Sequence, residues 1–299
     1  MVGWAAMVEP PPLRLPPLLV QAARQDGSEA WLGTLPAVAA RVTEDWGLAV
    51  GPPFEPGGQT AWVAPVRDRD GADRVLKLMR RHVEGEHEAA GLRVWAGDGA
   101  VRLHADADHG DTLALLLERC RPGTALDDRP EPEQDTIVAG LLRRLWRPAP
   151  PDDTFPTLAS LCAAWADESE AKPAAGGLDP GLRRDGLALF RELPASAERQ
   201  VLLCTDLHAG NVLAARREPW LVIDPKPHVG DPTYDALQHM LNCPGRLQAD
   251  PGALVDRLAG LLDLDAGRLA RWLFARCVEE APDWPTLAPV ARRLAADCM

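Results

Sequence analysis

The part of the sequence that most restricts the fold runs from Val201 to Lys226. Three short runs rich in Val, Leu and Ile alternate there with polar stretches, at 201–204, 212–214 and 220–223. Such runs are typical of buried β-strands, and the Arg-Arg-Glu-Pro stretch before the third predicts a hairpin. Asp206 and Asn211 precede this hairpin, and Asp224 follows it directly. We therefore expect the chain to bring these three polar side chains to one wall of the fold.

The residue types at these positions indicate phosphoryl transfer. An Asp-x-x-x-x-Asn loop followed by an Asp after one hairpin is the arrangement of kinase catalytic loops. Asp206 can orient or deprotonate an attacking hydroxyl, and Gly210 allows a tight turn. Asn211 and Asp224 offer the oxygen ligands that Mg²⁺ prefers. Because Asp-x-x-x-x-Asn is common by chance, the flanking strands and Asp224 are what favour a kinase over an ordinary strand–loop–strand.

Composition and charge exclude several classes of protein. The 299 residues carry 32 Lys and Arg against 44 Asp and Glu, a formal charge of −12. That charge disfavours nucleic acid and anionic membranes and favours cationic ligands, although it also simply keeps a protein soluble. No run of roughly 18 uncharged apolar residues exists. The proline-rich start lacks a secretory pattern, and the six cysteines are scattered without Cys-x-x-Cys. These features predict a cytoplasmic protein with reduced thiols.

The order of predicted elements indicates an α+β fold. Strands are predicted at Leu48–Val50, Thr60–Val66, Arg74–Met79, Val101–His104 and Leu113–Glu118, with a helix at Glu84–Ala96. Helical spacing then dominates at Glu131–Arg147, Thr157–Ala171, Gly181–Leu193, Tyr234–Cys243, Gly252–Leu262 and Ala266–Glu280. We predict an N-terminal extension (1–34), a small antiparallel sheet lobe with one helix (35–120) and a large, mainly helical lobe (121–299), with a cleft between the lobes.

Residues 201–239 resemble the aminoglycoside phosphotransferases, which share the protein-kinase-like fold. The run Trp220-Leu-Val-Ile-Asp-Pro-Lys-Pro-His-Val-Gly-Asp-Pro-Thr-Tyr-Asp235 is similar to the branch that contains streptomycin 6-phosphotransferases and hydroxyurea phosphotransferases. The resemblance extends over about 35–299 but is specific only in 201–239. One departure concerns packing: the family usually has His-Gly before the catalytic Asp, and Cys204-Thr205 stand here.

The resemblance implies roles for residues on the nucleotide side. Lys77, one of only three lysines, would grip the α- and β-phosphates from the third strand, on the face that Val75 and Met79 share. Glu88 on the following helix would hold Lys77 in place, and the neighbouring Glu84 and Glu86 are alternatives. The remaining nucleotide contacts are assigned to Gly57 and Gly58 as a covering turn and to Glu118 through Cys120 as the hinge at the adenine.

Four further residues have supporting roles. Asp231 precedes a proline and suits a helix N-cap, and Asp235 would brace the catalytic loop, as in the family. His208 is either a functional neighbour of Asp206 or a hydrogen-bonded loop histidine. Lys226, two residues after Asp224, could touch phosphate or substrate. Trp146, Trp165 and Trp272 stand at helical spacing and are predicted to lie in the core.

The expected activity is transfer of a phosphoryl group from ATP, with Mg²⁺, to a hydroxyl of a small cationic or polyhydroxylated acceptor; GTP is not excluded. Streptomycin or a related aminoglycoside is the first choice of acceptor, which implies antibiotic resistance. Two alternatives stay open: a kinase of this fold for hydroxyurea or another small alcohol, and a non-catalytic kinase-like binding protein. No nucleic acid or membrane partner is expected, and monomer and dimer are both open. Candidate carboxylates for a cationic acceptor are Asp167, Glu168, Glu170, Glu279, Glu280 and Asp283.

Overall fold

The computed structural model describes residues 13–151, 154–173 and 178–298, so residues 1–12 of the predicted extension lie outside the described residues. The chain divides into two compact units. Of the described residues, the first unit comprises those up to Glu86 together with Leu103–Arg119, and the second comprises His87–Arg102 and those from Cys120 onward. The last boundary between the units along the chain falls between Arg119 and Cys120, within the segment predicted as the hinge.

The first unit is built on an antiparallel sheet. Its strands are β1 (Ala49–Val50), β2 (Ala61–Arg67), β3 (Asp73–Arg80), β4 (Leu103–Asp108) and β5 (Thr112–Glu118), in the order β1-β2-β3-β5-β4. The predicted turn between β2 and β3 is present, with Gly71 in the left-handed region at φ 78°. Lys77 lies opposite Val63 and Leu115 in the register. Because side chains alternate along a strand, Lys77 points to the face that Val75 and Met79 share.

Two helices cover the other face of this sheet: α1 (Pro17–Gln25) and α2 (Glu29–Trp46). Leu19 and Leu35 pack with Trp62 and Leu76 in one buried cluster. The sequence analysis did not predict these helices and assigned residues 1–34 to an N-terminal extension. Pro17 opens the first turn of α1, a position compatible with proline, whereas Pro36 lies inside α2. Residue 34 falls inside α2, so the two-helix segment is part of the core of the first unit.

The second unit is mainly helical. Its helices are α3 (Glu88–Trp95), α4 (Glu131–Leu145), α5 (Leu158–Ala171), α6 (Pro180–Glu192), α7 (Leu237–Leu241), α8 (Pro244–Ala249), α9 (Pro251–Leu262), α10 (Ala266–Glu280) and α11 (Ala288–Cys298). Two strand pairs lie among them, β6 (Val201–Leu203) with β9 (His228–Gly230) and β7 (Val212–Ala214) with β8 (Trp220–Val222). The bounds predicted for α10 match; α8, α11 and β9 were not predicted.

Helix α3 groups with the second unit because of its contacts there. A Cβ placed on Gly91 would lie 2.4 Å from Cγ of Pro227, so the helix approaches the segment after β8 closely. The chain after the helix also pairs with β8, since the Val101 amide donates to the Val222 carbonyl at 3.0 Å. The helix begins at Glu88 rather than at residue 84, because residues 83–87 form turns.

Within the described ranges, none of the helices combines the length and the apolar character that crossing a bilayer requires.

Candidate active site

The segment from Cys204 to Lys226 forms one hydrogen-bonded unit. The carbonyl of Cys204 accepts from the Asp206 amide at 2.8 Å and from the Lys226 amide at 2.9 Å. The carbonyl of Asn211 accepts from the Ile223 amide at 2.9 Å. The chain before the β7–β8 hairpin is therefore tied twice to the chain after it. These ties bring the neighbourhoods of Asp206, Asn211 and Asp224 together, as the sequence predicts.

The side chain of Asn211 links the two ends of the loop that runs from Asp206 to Asn211. Its Nδ2 donates to the Asp206 carbonyl at 3.0 Å and lies 3.4 Å from Oδ2 of Asp206. With the amide nitrogen directed at Asp206, the amide oxygen of Asn211 points away from it. The side chain thus fixes the loop with one end and offers a neutral oxygen with the other.

The donor set suits a divalent cation bound together with phosphates. Asp224 is partly exposed, and its Oδ1 lies 2.6 Å from Nζ of the largely buried Lys226. Carboxylate and amide oxygens from Asp224 and Asn211 are hard ligands, which fits Mg²⁺ or Ca²⁺. Because Lys226 already partly neutralises Asp224, a dication alone would meet repulsion, and phosphate charge would be needed to hold it.

Asp235 is a buried carboxylate with three donors. Its Oδ2 accepts from the Cys204 amide at 3.0 Å and from Nε1 of Trp146 at 3.0 Å, and its Oδ1 accepts from the Thr205 amide at 2.7 Å. Burial raises the pKa of Asp235 to about 6, and the three hydrogen bonds oppose this shift. A side chain that follows β9 in sequence therefore fixes the backbone immediately before Asp206.

Two residues of this segment have strained backbones. Thr205 has φ 52° and Asp224 has φ 53°, in the left-handed region that glycine adopts more readily. Such strain persists only where the surroundings fix the conformation, and it is concentrated at functional sites. The value at Thr205 gives a physical reason for the glycine that the family usually has at this position.

The side chain of Thr205 makes a hydrogen bond that a glycine at position 205 could not make, and His228 contacts the same acceptor. Oγ1 of Thr205 donates to the Lys226 carbonyl at 2.5 Å, and Nδ1 of His228 lies 2.9 Å from the same oxygen. Burial lowers the pKa of His228, so the imidazole is neutral and donates from Nδ1. Cys204 is fully buried, and burial raises the pKa of its thiol well above the usual range. The Thr205 hydroxyl and the His228 imidazole thus hold the Lys226 carbonyl, and we call this arrangement the Thr205 clamp. The clamp accommodates the departure Cys204-Thr205.

The sequence analysis missed Trp146, Thr205 and His228 as parts of this site. Trp146 was predicted to be core on its helical spacing, but it is half-buried, follows α4 and donates to Asp235. Trp165 is also half-buried, and the guanidinium of Arg276 lies 4.3 Å over its ring. Trp272 is fully buried, as predicted. No local pattern marks Trp146, since its partner lies 89 positions away.

His208 serves the loop conformation. Its Nδ1 accepts from the Gly210 amide at 3.2 Å, which caps the short turn Ala209–Asn211. Burial lowers the pKa of His208, and the neighbouring His239 lowers it further. The imidazole is therefore neutral and available as an acceptor, which fits the hydrogen-bonded loop histidine of the sequence analysis.

Asp231 performs structural work at the start of a short 3₁₀ helix. Its Oδ1 accepts from the Thr233 amide at 2.9 Å, the geometry of an N-cap. Its Oδ2 accepts from Nε1 of Trp272 at 2.7 Å and from Nε of Arg268 at 2.7 Å. The carboxylate thus anchors the segment that carries Asp235 to α10.

On the nucleotide side, Lys77 is 5% exposed on β3, and Glu88 is 0% exposed at the start of α3. Buried lysine and glutamate are rare unless paired. Glu86, one of the two alternatives to Glu88, is exposed and lies 2.7 Å from Nη1 of Arg81. Gly57 and Gly58 lie in the loop between β1 and β2. Glu118 ends β5, and Cys120 opens the second unit.

Most of the acidic residues proposed for a cationic acceptor are already paired within the second unit. Arg191 binds Asp167 and Glu170, Arg276 binds Glu279 and Glu280, and Lys172 binds Asp283. Burial raises the pKa of Glu279 to about 7. These carboxylates stabilise the packing of α5, α6 and α10, and their charge is largely neutralised by arginine and lysine.

Another acidic cluster, Asp135 with His239 and Cys243, has a spacing that could suggest a metal. Burial opposes ionisation of Asp135, but hydrogen bonds from His239, Arg246 and Arg257 outweigh it and hold its pKa well below the usual range. Burial raises the pKa of Cys243 to about 12. Two guanidinium groups on the carboxylate and a protonated thiol disfavour a cation. The cluster is a packing network of α4, α7, α8 and α9.

Comparison with solved structures identifies the fold. A choline kinase from Streptococcus pneumoniae superposes with a TM-score of 0.61 at 10% identity, covering 88% of this chain and 99% of that chain. An amicoumacin kinase in complex with AMP-PNP, Ca²⁺ and Ami superposes with a TM-score of 0.56 at 12% identity, covering 82% and 88%. These likenesses show that the chain has the protein-kinase-like fold.

Sequence comparison then gives the family. The model of the aminoglycoside/hydroxyurea antibiotic resistance kinases matches residues 48–286, and the chain belongs to this family. A hydroxyurea phosphotransferase of Kitasatospora aureofaciens is 39% identical over 251 residues, 82% of this chain and 72% of the relative. A streptomycin 6-kinase of Streptomyces griseus is 34% identical over 280 residues, 89% of each chain. The predicted fold class and family are confirmed.

Proposed function

We propose that this kinase transfers the γ-phosphoryl group of ATP to a hydroxyl of streptomycin or a related aminoglycoside and so inactivates the antibiotic. The observation that carries the proposal is the fixed geometry of the catalytic segment, in which Asn211 is hydrogen-bonded to Asp206 and the backbone ties bring Asp224 alongside. The streptomycin 6-kinase relative, which aligns over 89% of both chains, supports the choice of acceptor. The net charge of −12 suits a polycationic acceptor.

Asp206 accepts a hydrogen bond from the acceptor hydroxyl in this proposal. The transition state of phosphoryl transfer is loose, so orientation of the alcohol contributes more than its full deprotonation. The backbone before Asp206 is fixed by Asp235 and by the Thr205 clamp, which limits the positions that the carboxylate can take. A positioned group of this kind typically contributes about 10²–10⁴-fold to the rate.

Asn211 and Asp224 would hold Mg²⁺ with the phosphates, and the ion would neutralise charge on the phosphate oxygens. Lys226 adds a positive charge beside Asp224 and would bind a phosphate oxygen once nucleotide is present. We expect divalent cations to bind weakly without nucleotide, because Lys226 repels them.

The proposed nucleotide contacts are those that the family resemblance implies. Lys77 would grip the α- and β-phosphates, with the buried Glu88 as its partner. Gly57 and Gly58 would cover the phosphates, and the backbone from Glu118 to Cys120 would hydrogen-bond the adenine. ATP is the first choice, and GTP would differ only in its contacts with that backbone.

Hydroxyurea is the second candidate acceptor. The hydroxyurea phosphotransferase relative has the higher identity, 39% against 34%. The shorter alignment of this relative weighs against hydroxyurea. The ion pairs of α5 and α10 weigh against an aminoglycoside, because they neutralise many of the carboxylates that a polycation would need. The acceptor therefore has to be decided by experiment.

Mass spectrometry of separate reactions with Mg–ATP tests both candidates. The acceptors are streptomycin, a second aminoglycoside, hydroxyurea and a neutral sugar alcohol. We expect streptomycin to gain the mass of one phosphoryl group while ADP accumulates. The variant Asp206→Asn should lose the product, and Asp256→Asn, an exposed control on α9, should keep it. Gain of mass by hydroxyurea alone would replace the first acceptor with the second, and ADP without any phosphorylated acceptor would contradict both.

A further inference from the structure

The loop between β1 and β2, residues 51–60, is contacted by the first residues of α1 and by the chain just before them. We call residues 13–18 the strap and residues 51–60 the covering loop. The Leu18 amide donates to the Pro56 carbonyl at 3.2 Å, and Nη2 of Arg14 lies 2.6 Å from Oε1 of Glu55. The strap thus reaches the covering loop with both a backbone bond and an ion pair.

The contact is closest at Gly57. This residue has φ 92°, and a Cβ placed on it would lie 2.4 Å from Cβ of Pro16. Gly71, in the turn between β2 and β3, has a similar φ of 78° but no atom within 4 Å of such a Cβ. A glycine is therefore required at position 57 for two reasons, the backbone conformation and the approach of the strap.

The strap is anchored in the core of the first unit. Nε1 of Trp62 donates to the Arg14 carbonyl at 2.9 Å, and Trp62 itself is 1% exposed. Leu13 and Leu15 pack against the buried cluster that contains Leu19. The strap is consequently a fixed support, whereas the covering loop has few bonds of its own to the sheet.

Support from the sheet is limited because β1 is short. Only Ala49 and Val50 pair with β2, and beyond them the loop bonds the sheet through the Gly51 amide to the Pro65 carbonyl, the Phe54 amide to the Val63 carbonyl and, at its end, the Thr60 carbonyl, which accepts from the Arg80 amide. Residues 55–57, in the middle of the loop, are the ones that the strap contacts. The family model begins at residue 48 and does not include the strap.

We propose that the strap positions the covering loop for nucleotide binding, with Arg14, Pro16 and Leu18 as positioning residues. The proposal rests on the proposed function, in which Gly57 and Gly58 cover the phosphates of ATP. Holding the loop in its bound conformation reduces the entropy lost on binding, so the strap raises ATP affinity without touching the nucleotide. It makes no contribution to the chemical step.

Charge reversal across Arg14 and Glu55 tests this role in the full chain. Arg14→Glu places two carboxylates together, and the double variant Arg14→Glu/Glu55→Arg restores attraction. Since exposed ion pairs contribute little, we expect the Kd for Mg–ATP to rise about 2- to 5-fold in the single variant and to recover in the double variant. The turnover at saturating ATP and the KM for the acceptor should not change. Arg67→Glu, at an equally exposed ion pair with Asp73 on the same sheet, should leave the Kd unchanged.

A second measurement reports on the loop itself. Amide hydrogen exchange of residues 54–58 should accelerate in Arg14→Glu and in Gly57→Ala, whereas Gly71→Ala should affect only its own turn. Equal exchange in these residues for wild type and Arg14→Glu, or equal ATP affinity in wild type, Arg14→Glu and the double variant, would overturn the role of the strap alone. Failure of the wild type to bind Mg–ATP would overturn the proposed function, and the role of the strap with it.

Discussion

The catalytic segment of the second unit and the covering loop of the first unit are held in place by different physical means. Asp235 fixes the backbone before Asp206 through three hydrogen bonds to one fully buried carboxylate. The covering loop, by contrast, is contacted by the strap, and the ion pair between them is exposed, with 68% of the Arg14 side chain accessible. Removal of a buried polar contact lowers the free energy of unfolding strongly, whereas removal of an exposed ion pair changes it little.

The difference matches the demands of the two regions. In the proposed mechanism, the group that orients the acceptor hydroxyl has to be placed within a fraction of an ångström, and buried hydrogen bonds provide that precision. A loop that covers a nucleotide also has to let it enter and leave, and weak contacts permit this. We therefore expect changes in the catalytic segment to reduce turnover, and changes in the first unit to reduce nucleotide affinity.

The largest effect is expected for Asp235→Ala. Removal of the carboxylate leaves the amides of Cys204 and Thr205 and the indole of Trp146 without an acceptor. Each buried donor without a partner costs about 1–3 kcal/mol, so urea unfolding should show a loss of roughly 3 kcal/mol or more. Turnover should fall by at least about 10²-fold, as expected for a displaced catalytic group. A turnover within twofold of wild type would contradict the role of the clamp, and Asp256→Ala provides the control for an exposed aspartate.

Lys77→Met tests the opposite half of the comparison. Methionine keeps the apolar contact on the face of β3 while it removes the charge. A charged hydrogen bond contributes about 1.5–3 kcal/mol, so the Kd for ATP should rise by roughly 10- to 100-fold. Calorimetric titration with Mg–ATP measures this change directly. Lys172→Met, an exposed lysine paired with Asp283, is the matched control and should bind as wild type does.

Thr205→Val isolates the hydroxyl of the clamp. The two side chains have nearly the same shape, but valine cannot donate to the Lys226 carbonyl. The loss of one buried hydrogen bond, about 1–1.5 kcal/mol, should lower turnover by roughly 5- to 10-fold with little change in ATP affinity. Thr205→Ser should retain most of the turnover. If valine and serine at position 205 have the same turnover, the hydroxyl plays no part in positioning Asp206.

Lowering the pH should have two smaller effects of opposite sign: turnover falls and stability rises. Burial raises the pKa of Asp235 to about 6, above the 3.8 of an ordinary aspartate. Turnover should fall severalfold as the pH drops through about 6, because the protonated group is a poorer acceptor for the three donors. Stability changes the other way: the contribution from the raised pKa is fully present below pH 3.8 and is lost as the pH rises through about 6.

Rate and unfolding measurements on wild type and Asp235→Asn separate this titration from that of other groups. The asparagine variant should lack the acid limb that depends on residue 235. Its free energy of unfolding should vary less with pH between about 4 and 7 than that of wild type. Identical pH profiles for the two proteins would assign the acid limb to another group.

How much the sequence could predict depends on whether the signal was local. The β7–β8 hairpin, α10 and the alternation that places Lys77 on its face of β3 all follow from short-range patterns. The same holds for the order of polar residues around Asp206. Helices α1 and α2 were not predicted, and their prolines differ in position: Pro17 opens α1, where proline is tolerated, whereas Pro36 lies inside α2, where proline is disfavoured.

Long-range partners could not be predicted. The donors and acceptors of the Asp235 clamp come from segments about 30 and 89 positions apart, and nothing in the local pattern links them. Most of the acidic residues assigned to a cationic acceptor looked available in sequence but are paired with Arg191, Arg276 and Lys172. Local composition reports charge, whereas only the fold decides which charge is already neutralised.

The central claim, that Asp206 orients the acceptor hydroxyl for phosphoryl transfer, is tested most directly by Asp206→Asn. The substitution keeps the shape of the side chain and one acceptor oxygen but removes the charge. Turnover with the acceptor found by mass spectrometry is measured beside the Kd for Mg–ATP. We predict a loss of about 10²–10⁴-fold in turnover with almost no change in ATP affinity. Turnover close to that of wild type would contradict the account.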